Sequence, residues 1–527
     1  MNWKLPALSV LSGLLLALPW LGVSGLLLLV AFIPLFYINN YFAERKNAYV
    51  PIVFWGHAFL AMLVWNLATT WWIGHATLAG AIFAVFANSL LMSLVWLLMH
   101  YASRYKKEGF AGLIFIFAWL SFEKMHFHWE LAWPWLTLGN GFANNVKLIQ
   151  WYEFTGVLGG SLWVLISNYL LWNVLKKWCL HKKCISPFQI TIVAAFLFLP
   201  MAFSLFIYKN YDEESDPVNI VLLQPNIDPY SDKFDGMPIW QQHNKLIALA
   251  QNYTHQQVDL FVAPETALHN IWQNKVYDED IVNQIWGFLD KKHPEAAFIT
   301  GAMTYRLYED ENMATPTARR LKNGTEMYDA FNSALYLNSN REVAFYHKSM
   351  LVSGVEKMPF KRYLRFLEKF VVDLGGTTGT LATQNEAVVF KHNNTTIGVP
   401  ICYESVFGTY NRQFVLKGAE MLAVITNDGW WRNTPGYRQH LSFSRIQAIQ
   451  FRRSVVRSAN TGISAFINQK GDVQEQTPWW VETSIFGKVN RNKKLTFYAR
   501  QGDYIARGSI FMFLLMLLAL VVGAVRK

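Results

Sequence analysis

Long apolar runs dominate the first 210 residues of the chain, and one more such run lies at its end. A helix that crosses a bilayer needs about 20 mainly apolar residues. Because the first two runs together exceed what one span can bury, we expect a tight hairpin there rather than one long kinked helix, and no cleaved signal peptide. The runs predict eight transmembrane helices, at 5–21, 25–38, 52–73, 78–100, 110–122, 156–175, 188–208 and 509–525.

Residues 211–507 follow a different pattern, in which short apolar or β-branched runs alternate with helical stretches at 240–252 and 439–451. Such alternation indicates an α/β domain whose sheet has buried faces. We therefore predict a transmembrane bundle at 1–210, a globular domain at 211–507 and a last transmembrane helix at 508–527. The predicted strands include NIVLLQ, VDLFVAPE, AAFITGA, SALYLN, TTIGVPICYE, AEMLAVITND and TGISAFIN.

The charge balance changes what the chain is expected to bind. Hydrophobic residues make up 53% of the 527 residues and charged residues 16%, and the formal net charge is +11. Many cationic residues flank apolar runs, and none form a basic groove interleaved with aromatic residues, so nucleic-acid binding is not predicted. Attraction to the anionic head groups of a lipid bilayer explains the surplus better.

The loops between the predicted helices differ in charge, which predicts the orientation in the membrane. The opposite short loops, at 22–24 and 74–77, carry no Lys or Arg, and only Lys124 and Lys147 in the longer fifth-to-sixth connection depart from the pattern. The positive-inside rule places the basic set in the cytoplasm and the 211–507 domain on the other side. The basic set is Arg45, Lys46, Arg104, Lys106, Lys107, Lys176, Lys177, Lys182, Lys183, Arg526 and Lys527.

An aromatic segment, HFHWELAWPWLTLGNGF, lies between the fifth and sixth predicted spans. Trp129, Trp133 and Trp135 suit the boundary between water and hydrocarbon, where amphipathic rings prefer to lie. We therefore expect an interface belt, with a substrate contact as the alternative.

The chain has three cysteines, Cys179, Cys184 and Cys402. Three are too few for a disulfide framework, and two thiols in a Lys-rich loop rarely make a zinc site. The histidines show no dense metal-ligand spacing. We therefore expect no metal and no cofactor.

Three predicted strands end in residues that are suited to catalysis. Glu265 follows the run LFVAP, Lys348 follows FYH, and Cys402 follows GVPI. Each residue alone is more often a surface or core residue, but functional side chains collect at the carboxyl ends of strands in α/β folds. Their occurrence in one domain favours a shared site.

A thiol, a carboxylate and an ammonium together suit acyl transfer. The thiolate attacks an ester or amide, and a nearby carboxylate takes the proton and later returns it. The ammonium keeps the thiolate charged and stabilises the oxyanion of the tetrahedral intermediate. Cys402 is therefore the predicted nucleophile, Glu265 the general base and acid, and Lys348 the oxyanion stabiliser.

The order of these residues and the phrases PNIDPYSDKF, APET, YHKSMLV, GVPICYES and ITNDGWW resemble the nitrilase superfamily. With the flanking spans and the tail TFYARQGD, the whole chain resembles the apolipoprotein N-acyltransferase family. The resemblance implies a polytopic α-helical membrane protein with about eight transmembrane helices and an inserted nitrilase-like αββα sandwich. It also implies the bacterial inner membrane, with the catalytic domain on the periplasmic side.

The resemblance further implies a ping-pong N-acyltransferase of lipoprotein biosynthesis. An acyl chain would move from a phospholipid to a thioester on Cys402, and then to the α-amino group of the diacylglyceryl-cysteine of an apolipoprotein. The implied partners are thus a phospholipid acyl donor, diacylglyceryl-modified apolipoproteins and the bilayer. Glu356 would orient or assist Lys348, and Tyr403 and Glu404 match family positions near the active site.

Two positions depart from the family pattern. The segment 351–356 reads LVSGVE where LVPFGE is common, and Phe234 stands where Trp is common. Both lie in lid regions of the family, so they concern donor preference more than the catalytic residues.

The sequence also leaves two other functions open. One is a membrane-tethered nitrilase-like amidase. The other is a transporter or receptor, although the spans hold few of the charges that mark transport pathways.

Overall fold

The computed structural model describes residues 3–233, 236–321, 324, 326–357, 360 and 380–525. The chain divides into two compact units. The first unit, called the helical unit below, comprises Met1–Tyr211 and Arg500–Lys527, and the second, the sandwich unit, comprises Asp212–Ala499. The boundary that the sequence predicts after residue 507 lies inside the helix Tyr504–Val525, which belongs to the helical unit.

The helical unit consists of long helices joined by short ones. The long helices are Lys4–Ala17 continued by the 3₁₀ turn Leu18–Leu21, the 3₁₀ turn Gly25–Leu29 leading to Ile33–Glu44, Pro51–Thr70, Leu78–Tyr105, Glu108–Met125, Val157–Leu175 continued by the π turn Lys176–Leu180, Pro187–Asn210 and Tyr504–Val525. The short ones are Ile73–Ala76, Tyr152–Thr155 and the 3₁₀ turns Pro134–Leu136, Leu138–Phe142 and Val146–Leu148.

Seven helices in the described part of the chain are long and apolar enough to cross a membrane. The predicted fifth span also forms a helix, Glu108–Met125, but it falls outside this set because three charged residues lie in its first and last turns. These are Glu108, Glu123 and Lys124. Glu108 pairs with Lys176 at 3.0 Å, and Lys124 pairs with Asp503 at 2.7 Å. The stretch 109–122 between the charged turns carries no charged residue.

The predicted hairpin of the first two spans is confirmed. The chain reverses at Gly22, whose φ of 94° lies in the left-handed region that glycine adopts without a steric cost. Across the hairpin, the Ser12 hydroxyl donates a hydrogen bond of 2.6 Å to the Ala31 carbonyl.

The prediction of an interface belt is wrong for Trp135. This side chain is 1% exposed, and the Trp20 indole donates to the Trp135 carbonyl at 3.0 Å. The Trp133 and Trp135 rings stack with centroids 5.7 Å apart. The segment folds into short 3₁₀ turns that bury the Trp135 ring, whereas Trp129 and Trp133 are half-buried. Hydropathy alone does not reveal this packing.

Two β-sheets form the centre of the sandwich unit. An eight-stranded sheet has the order β14-β1-β2-β4-β6-β5, with β3 also paired to β4 and β7 to β6, and a six-stranded sheet has the order β13-β12-β11-β10-β9-β8. The strands are β1 Pro217–Gln224, β2 Leu260–Val262, β3 Leu268–Trp272, β4 Ala297–Tyr308, β5 Arg319–Arg320, β6 Met327–Asn338, β7 Val343–His347, β8 Val389–His392, β9 Thr395–Gly398, β10 Met421–Thr426, β11 Ser454–Ala459, β12 Ala465–Ile467, β13 Val473–Gln476 and β14 Thr483–Asn490.

The two sheets stack with helices on their outer faces, so the predicted αββα sandwich is confirmed. The Ser458 hydroxyl on β11 donates to the Leu223 carbonyl on β1 at 2.9 Å, which joins the inner faces. Helices Ile239–Gln251 and Asp280–Lys292 cover the first sheet in one hydrophobic core. Among the described residues, the other helical segments are Gly408–Leu416 and Pro435–Phe451 beside the second sheet, Phe497–Gln501, and the 3₁₀ turns Gln273–Asp278, Glu311–Met313, Cys402–Val406 and Asp428–Trp431.

Candidate active site

Glu265 follows β2, which runs parallel to its neighbours β1 and β4 in the first sheet. The turn after the strand approaches β4 so closely that a Cβ on Gly301 would lie 2.5 Å from the Glu265 Cα. Only glycine fits at that point of β4. The next residue, Thr266, has a φ of 48°, which ends the strand and turns the chain away from the carboxylate.

The Glu265 carboxylate is 6% exposed and fully engaged in hydrogen bonds. Its Oε1 accepts from the Asn332 amide at 2.8 Å and from the Lys348 Nζ at 3.2 Å, and its Oε2 accepts from the backbone N–H of Asn427 at 3.1 Å. Burial raises the pKa of Glu265, but the Lys348 charge and the Asn332 hydrogen bond outweigh it and hold the pKa below its usual value. The side chain is therefore a carboxylate at neutral pH.

Lys348 follows β7 and is held next to β6. Its backbone N–H donates to the Asn332 carbonyl at 2.8 Å, and its Nζ also donates to the Glu356 Oε1 at 2.8 Å. Burial lowers the pKa of Lys348, but Glu265 and Glu356 together raise it well above its usual value. A permanent ammonium therefore lies between two carboxylates.

The segment that departs from the family pattern still brings Glu356 to Lys348. The Glu356 Oε2 accepts from the backbone N–H of Val352 at 2.8 Å, and its Oε1 accepts from the Asn332 amide at 3.2 Å. The LVSGVE sequence thus retains the carboxylate contact. The other departure, Phe234, lies outside the described residues.

Cys402 begins the 3₁₀ turn that follows β9, with a φ of 50°. Burial and then the Glu265 charge raise the pKa of its thiol, and the Lys348 charge opposes them without reversing the shift. The expectation that the ammonium keeps the thiolate charged is therefore wrong for the resting site: burial outweighs the ammonium and leaves a protonated thiol beside a carboxylate.

Glu404 ties the Cys402 turn to the chain after β7. Its Oε1 accepts from the Tyr346 hydroxyl at 2.8 Å and from the N–H groups of Ser349 at 2.6 Å and Met350 at 3.0 Å, and its Oε2 accepts from Ile401 N–H at 2.9 Å. Burial raises its pKa to about 7 against these hydrogen bonds.

Tyr403 contributes packing to the same turn. Its side chain is 6% exposed, and its ring meets that of Phe407 edge to face, with centroids 5.0 Å apart. The three predicted catalytic residues and the three predicted supporting residues thus belong to one hydrogen-bonded and packed region of the sandwich unit.

Three further polar residues of this region were not predicted. Asn332 lies within β6, where nothing but its amide distinguishes it from a core position. Asp428 follows β10 and has the strand-end signal that identified Glu265. Lys233, in the quoted phrase PNIDPYSDKF, donates to the Thr266 hydroxyl at 2.6 Å, and burial lowers its pKa to about 8 although Glu265 opposes the shift.

Acidic side chains, of which this site has several, are common metal ligands. Among the residues that the structure describes, no group of three or more His, Cys, Asp or Glu side chains could hold a metal ion. Cys179 and Cys184 are free and exposed.

The chain matches two family models and a set of named bacterial relatives. Residues 220–494 match the carbon-nitrogen hydrolase family, and residues 12–170 match the apolipoprotein N-acyltransferase N-terminal domain. The apolipoprotein N-acyltransferase of Chlorobaculum tepidum is 30% identical over 99% of this chain and 96% of its own. That of Geobacter metallireducens is 26% identical over 95% and 92%.

The chain is also similar to a solved structure. A CN-hydrolase superfamily protein from Xanthomonas campestris is 16% identical, with a TM-score of 0.35, over 57% of this chain and 96% of its own. The model match across more than half of the chain and the full-length likeness at 30% identity carry the assignment. This chain belongs to the apolipoprotein N-acyltransferase family and contains a carbon-nitrogen hydrolase domain.

Proposed function

We propose that this protein N-acylates apolipoproteins by a ping-pong reaction through a thioester on Cys402. The acyl donor is a phospholipid, and the acceptor is the α-amino group of a diacylglyceryl-cysteine. The observation that carries the proposal is the buried network of Glu265, Lys348 and Glu356, whose first two charges act on the Cys402 thiol. Family membership supplies the acyl-transfer chemistry.

In the first half-reaction the Cys402 sulfur attacks the carbonyl carbon of the donor ester. Because the thiol is protonated at rest, its proton moves to the Glu265 carboxylate as the S–C bond forms. The tetrahedral intermediate then collapses. The ester C–O bond breaks, Glu265 returns the proton to the departing glycerol oxygen, and a lysophospholipid leaves.

In the second half-reaction the neutral α-amino group of the acceptor attacks the thioester carbon. The N–C bond forms, Glu265 accepts a proton from the nitrogen, and the C–S bond breaks as the proton passes to sulfur. The products are an amide at the lipoprotein N-terminus and the regenerated thiol. One carboxylate serves both steps because each begins and ends with the same protonation state.

Lys348 stabilises the oxyanion in both tetrahedral intermediates. Its ammonium is 1% exposed and already fixed by Glu265 and Glu356 at 3.2 and 2.8 Å, so little reorganisation accompanies charge development on the substrate oxygen. Glu356 is a positioning residue in this scheme. It keeps the ammonium in place when the Glu265 charge is neutralised by the transferred proton.

We also propose where the protein lies in the cell. The long apolar helices make this a membrane protein, and the bacterial relatives favour the inner membrane. The remaining long helix, Glu108–Met125, carries its charges only in its first and last turns and so can serve as an eighth span. With eight spans, the positive-inside rule puts the sandwich unit on the periplasmic side, where the diacylglyceryl acceptors are expected.

The test uses the purified full-length protein in detergent with phosphatidylethanolamine that carries an isotope label in its acyl chains. A synthetic diacylglyceryl-cysteine peptide serves as acceptor, and products are identified by mass spectrometry. The proposal predicts label in an amide at the peptide N-terminus with wild type and none with Cys402→Ser. Release of the label only as free fatty acid, with peptide present, would instead identify a hydrolase of the amidase type.

A further inference from the structure

A second buried cluster of charged side chains lies directly behind the Cys402 turn. Asp428, His440 and Arg457 are each at most 1% exposed at their side chains. The Asp428 carboxylate accepts from the Arg457 Nη2 at 2.5 Å and lies 2.9 Å from the His440 Nδ1. The acyl-transfer scheme above uses none of the three.

The cluster reaches the nucleophile through its histidine. The His440 Nε2 lies 3.1 Å from the backbone carbonyl oxygen of Cys402 and 3.0 Å from the Ser405 hydroxyl oxygen. The Ser405 hydroxyl itself donates to the same Cys402 carbonyl at 2.7 Å. A hydroxyl has one hydrogen to donate, so both neighbours of the His440 Nε2 are acceptors. Nε2 must therefore carry a proton.

The other ring nitrogen, Nδ1, lies between Asp428 and Arg457. The Arg457 Nη2 is 3.0 Å from Nδ1 and donates to the Asp428 carboxylate, whose Oδ1 is 2.9 Å from Nδ1. Burial and the Arg457 charge lower the pKa of His440, although Asp428 opposes them. These two contacts fix the plane of the ring with Nε2 directed at Cys402.

The backbone of Cys402, whose carbonyl His440 contacts, has a strained conformation. Cys402 has a φ of 50°, a left-handed conformation that non-glycine residues adopt only when their surroundings enforce it. Two hydrogen bonds converge on the carbonyl of this residue, from His440 and from Ser405. Rotation of the backbone away from the left-handed region would break both hydrogen bonds.

We propose that His440, held by Asp428 and Arg457, is a positioning residue that fixes the Cys402 backbone and thereby aims the nucleophilic thiol. This inference rests on the proposed role of Cys402 as nucleophile. A thiol aimed by strained backbone is sensitive to small displacements, since misplacement by about 1 Å can slow a reaction about 100-fold. The contact therefore controls the rate of thioester formation rather than donor binding.

A pair of substitutions separates the two sides of the imidazole. The amide nitrogen of His440→Gln can occupy the place of Nε2 and donate to the Cys402 carbonyl. The shorter side chain of His440→Asn mimics Nδ1, so it can keep the contact with Asp428 but does not reach the carbonyl. His293→Asn is the matched control, because His293 is also a buried histidine of the sandwich unit, 5% exposed, and packs on Phe261.

The experiment measures single-turnover formation of the Cys402 thioester from phosphatidylethanolamine, by intact mass, at several donor concentrations. For His440→Asn we expect the maximal rate to fall roughly 10- to 100-fold, with an unchanged half-saturating donor concentration and a melting temperature close to that of the control. His440→Gln should recover most of the rate. Ser405→Ala, which removes the other hydrogen bond without touching a charge, should slow the same step about tenfold.

The outcomes distinguish this inference from the proposed function. A wild-type thioester with unchanged rates in both His440→Asn and Ser405→Ala would overturn the positioning role and leave the function intact. Equal loss in the Gln and Asn variants would also overturn it, because the donor at the Nε2 position would then be irrelevant. Absence of any thioester on wild type would overturn both.

Discussion

Buried polar side chains are of different kinds in the two units of this protein. In the helical unit they are mainly amides and hydroxyls, such as Asn66, Asn88 and Ser89. In the sandwich unit they include full charges in contact with one another, and these surround the candidate nucleophile. The charged set near Cys402 comprises Lys233, Glu265, Lys348, Glu404, Asp428 and Arg457.

The difference follows from the cost of desolvation. An isolated buried charge costs several kcal/mol, which only paired charges with further hydrogen bonds recover. A neutral amide in a helix bundle needs one or two hydrogen bonds, as when the Asn88 amide donates to the Asn66 Oδ1 at 2.7 Å. Concentrated buried charge is therefore an expensive arrangement, and it is found where proton transfer and oxyanion stabilisation are proposed.

Two buried carboxylates in the described part of the helical unit are partial exceptions, Glu123 and Asp503, and Asp503 is 5% exposed and paired with Lys124 at 2.7 Å. Glu123 is 3% exposed, and its Oε1 accepts from the Trp119 indole at 3.0 Å and from the Leu138 N–H at 2.8 Å. The Trp119 bond lies within helix Glu108–Met125, and the Leu138 bond joins the end of that helix to the segment that follows. Its contacts are thus structural links within the unit rather than part of a network of several charges.

The largest effect is expected at the nucleophile. Cys402→Ser should reduce acyl transfer by about 10⁴-fold or more, because a serine hydroxyl is a far weaker nucleophile beside the same carboxylate. Cys184→Ser, at an exposed thiol of the helical unit, is the matched control and should leave the rate unchanged. Transfer of labelled acyl chains to the acceptor peptide provides the measurement, and equal rates for the two variants would refute the role of Cys402.

The next effect is expected at the buried ammonium. Lys348→Met should lower kcat about 10²- to 10³-fold and destabilise the fold by about 3–5 kcal/mol, because it leaves Glu265 and Glu356 buried without their cation. Lys245→Met is the control, since its pair with Glu482 is at the surface, with side chains 30% and 46% exposed, and should contribute less than about 1 kcal/mol.

The stability of Lys348→Met should depend on pH with the opposite sign to that of wild type. In wild type the lowered pKa of Glu265 stabilises the fold above the ordinary carboxyl pKa of 4.5, and this stability is lost as pH falls through the lower folded pKa. Without Lys348, burial dominates and the folded pKa rises, so stability should instead fall as pH increases. The measurement is the melting temperature of wild type and Lys348→Met between about pH 4 and 8. Parallel curves for the two proteins would contradict the expectation.

A smaller effect is expected at Glu404. Its folded pKa of about 7 exceeds the ordinary value of 4.5, so its contribution to stability is full below 4.5 and is lost as pH rises through 7. Glu404→Gln should remove this slope from the melting curve. It should also cost about 1–3 kcal/mol, because one amide hydrogen would face the Ile401 N–H. An unaltered slope would mean that Glu404 is ionised throughout this range.

The smallest effect is expected in the helical unit. Asn88→Ala removes one amide from a buried neutral pair, and such pairs in membrane bundles contribute about 0.6 kcal/mol on average and about 1.7 at most. We expect a small decrease in melting temperature in detergent and an unchanged kcat. A loss as large as that of Lys348→Met would break the distinction drawn between the two units.

Much of this architecture could be predicted from the sequence. Hydropathy locates the ends of the long helices within about six residues. The end of an apolar run identifies Glu265, Lys348 and Cys402, because each lies within a few residues of the strand that positions it. The same strand-end rule applies to Asp428 and would have found it.

Other features depend on contacts between distant parts of the chain. Asn332 joins two carboxylates from the middle of β6, and His440 reaches Cys402 from a helix turn that looks like ordinary amphipathic sequence. The protonation of Cys402 was also beyond the sequence, since it is set by the depth of burial against the strength of one ammonium. Trp135 was misplaced because composition does not tell a lipid-facing ring from a packed one.

The most direct test of the account is the intact mass of wild-type protein after incubation with phosphatidylethanolamine and without acceptor. We predict an added acyl chain that is removed by neutral hydroxylamine, is absent in Cys402→Ala, and disappears with amide formation when the diacylglyceryl-cysteine peptide is added. An acylated acceptor formed by a protein that never carries this adduct, or an adduct that persists in Cys402→Ala, would contradict the thioester mechanism.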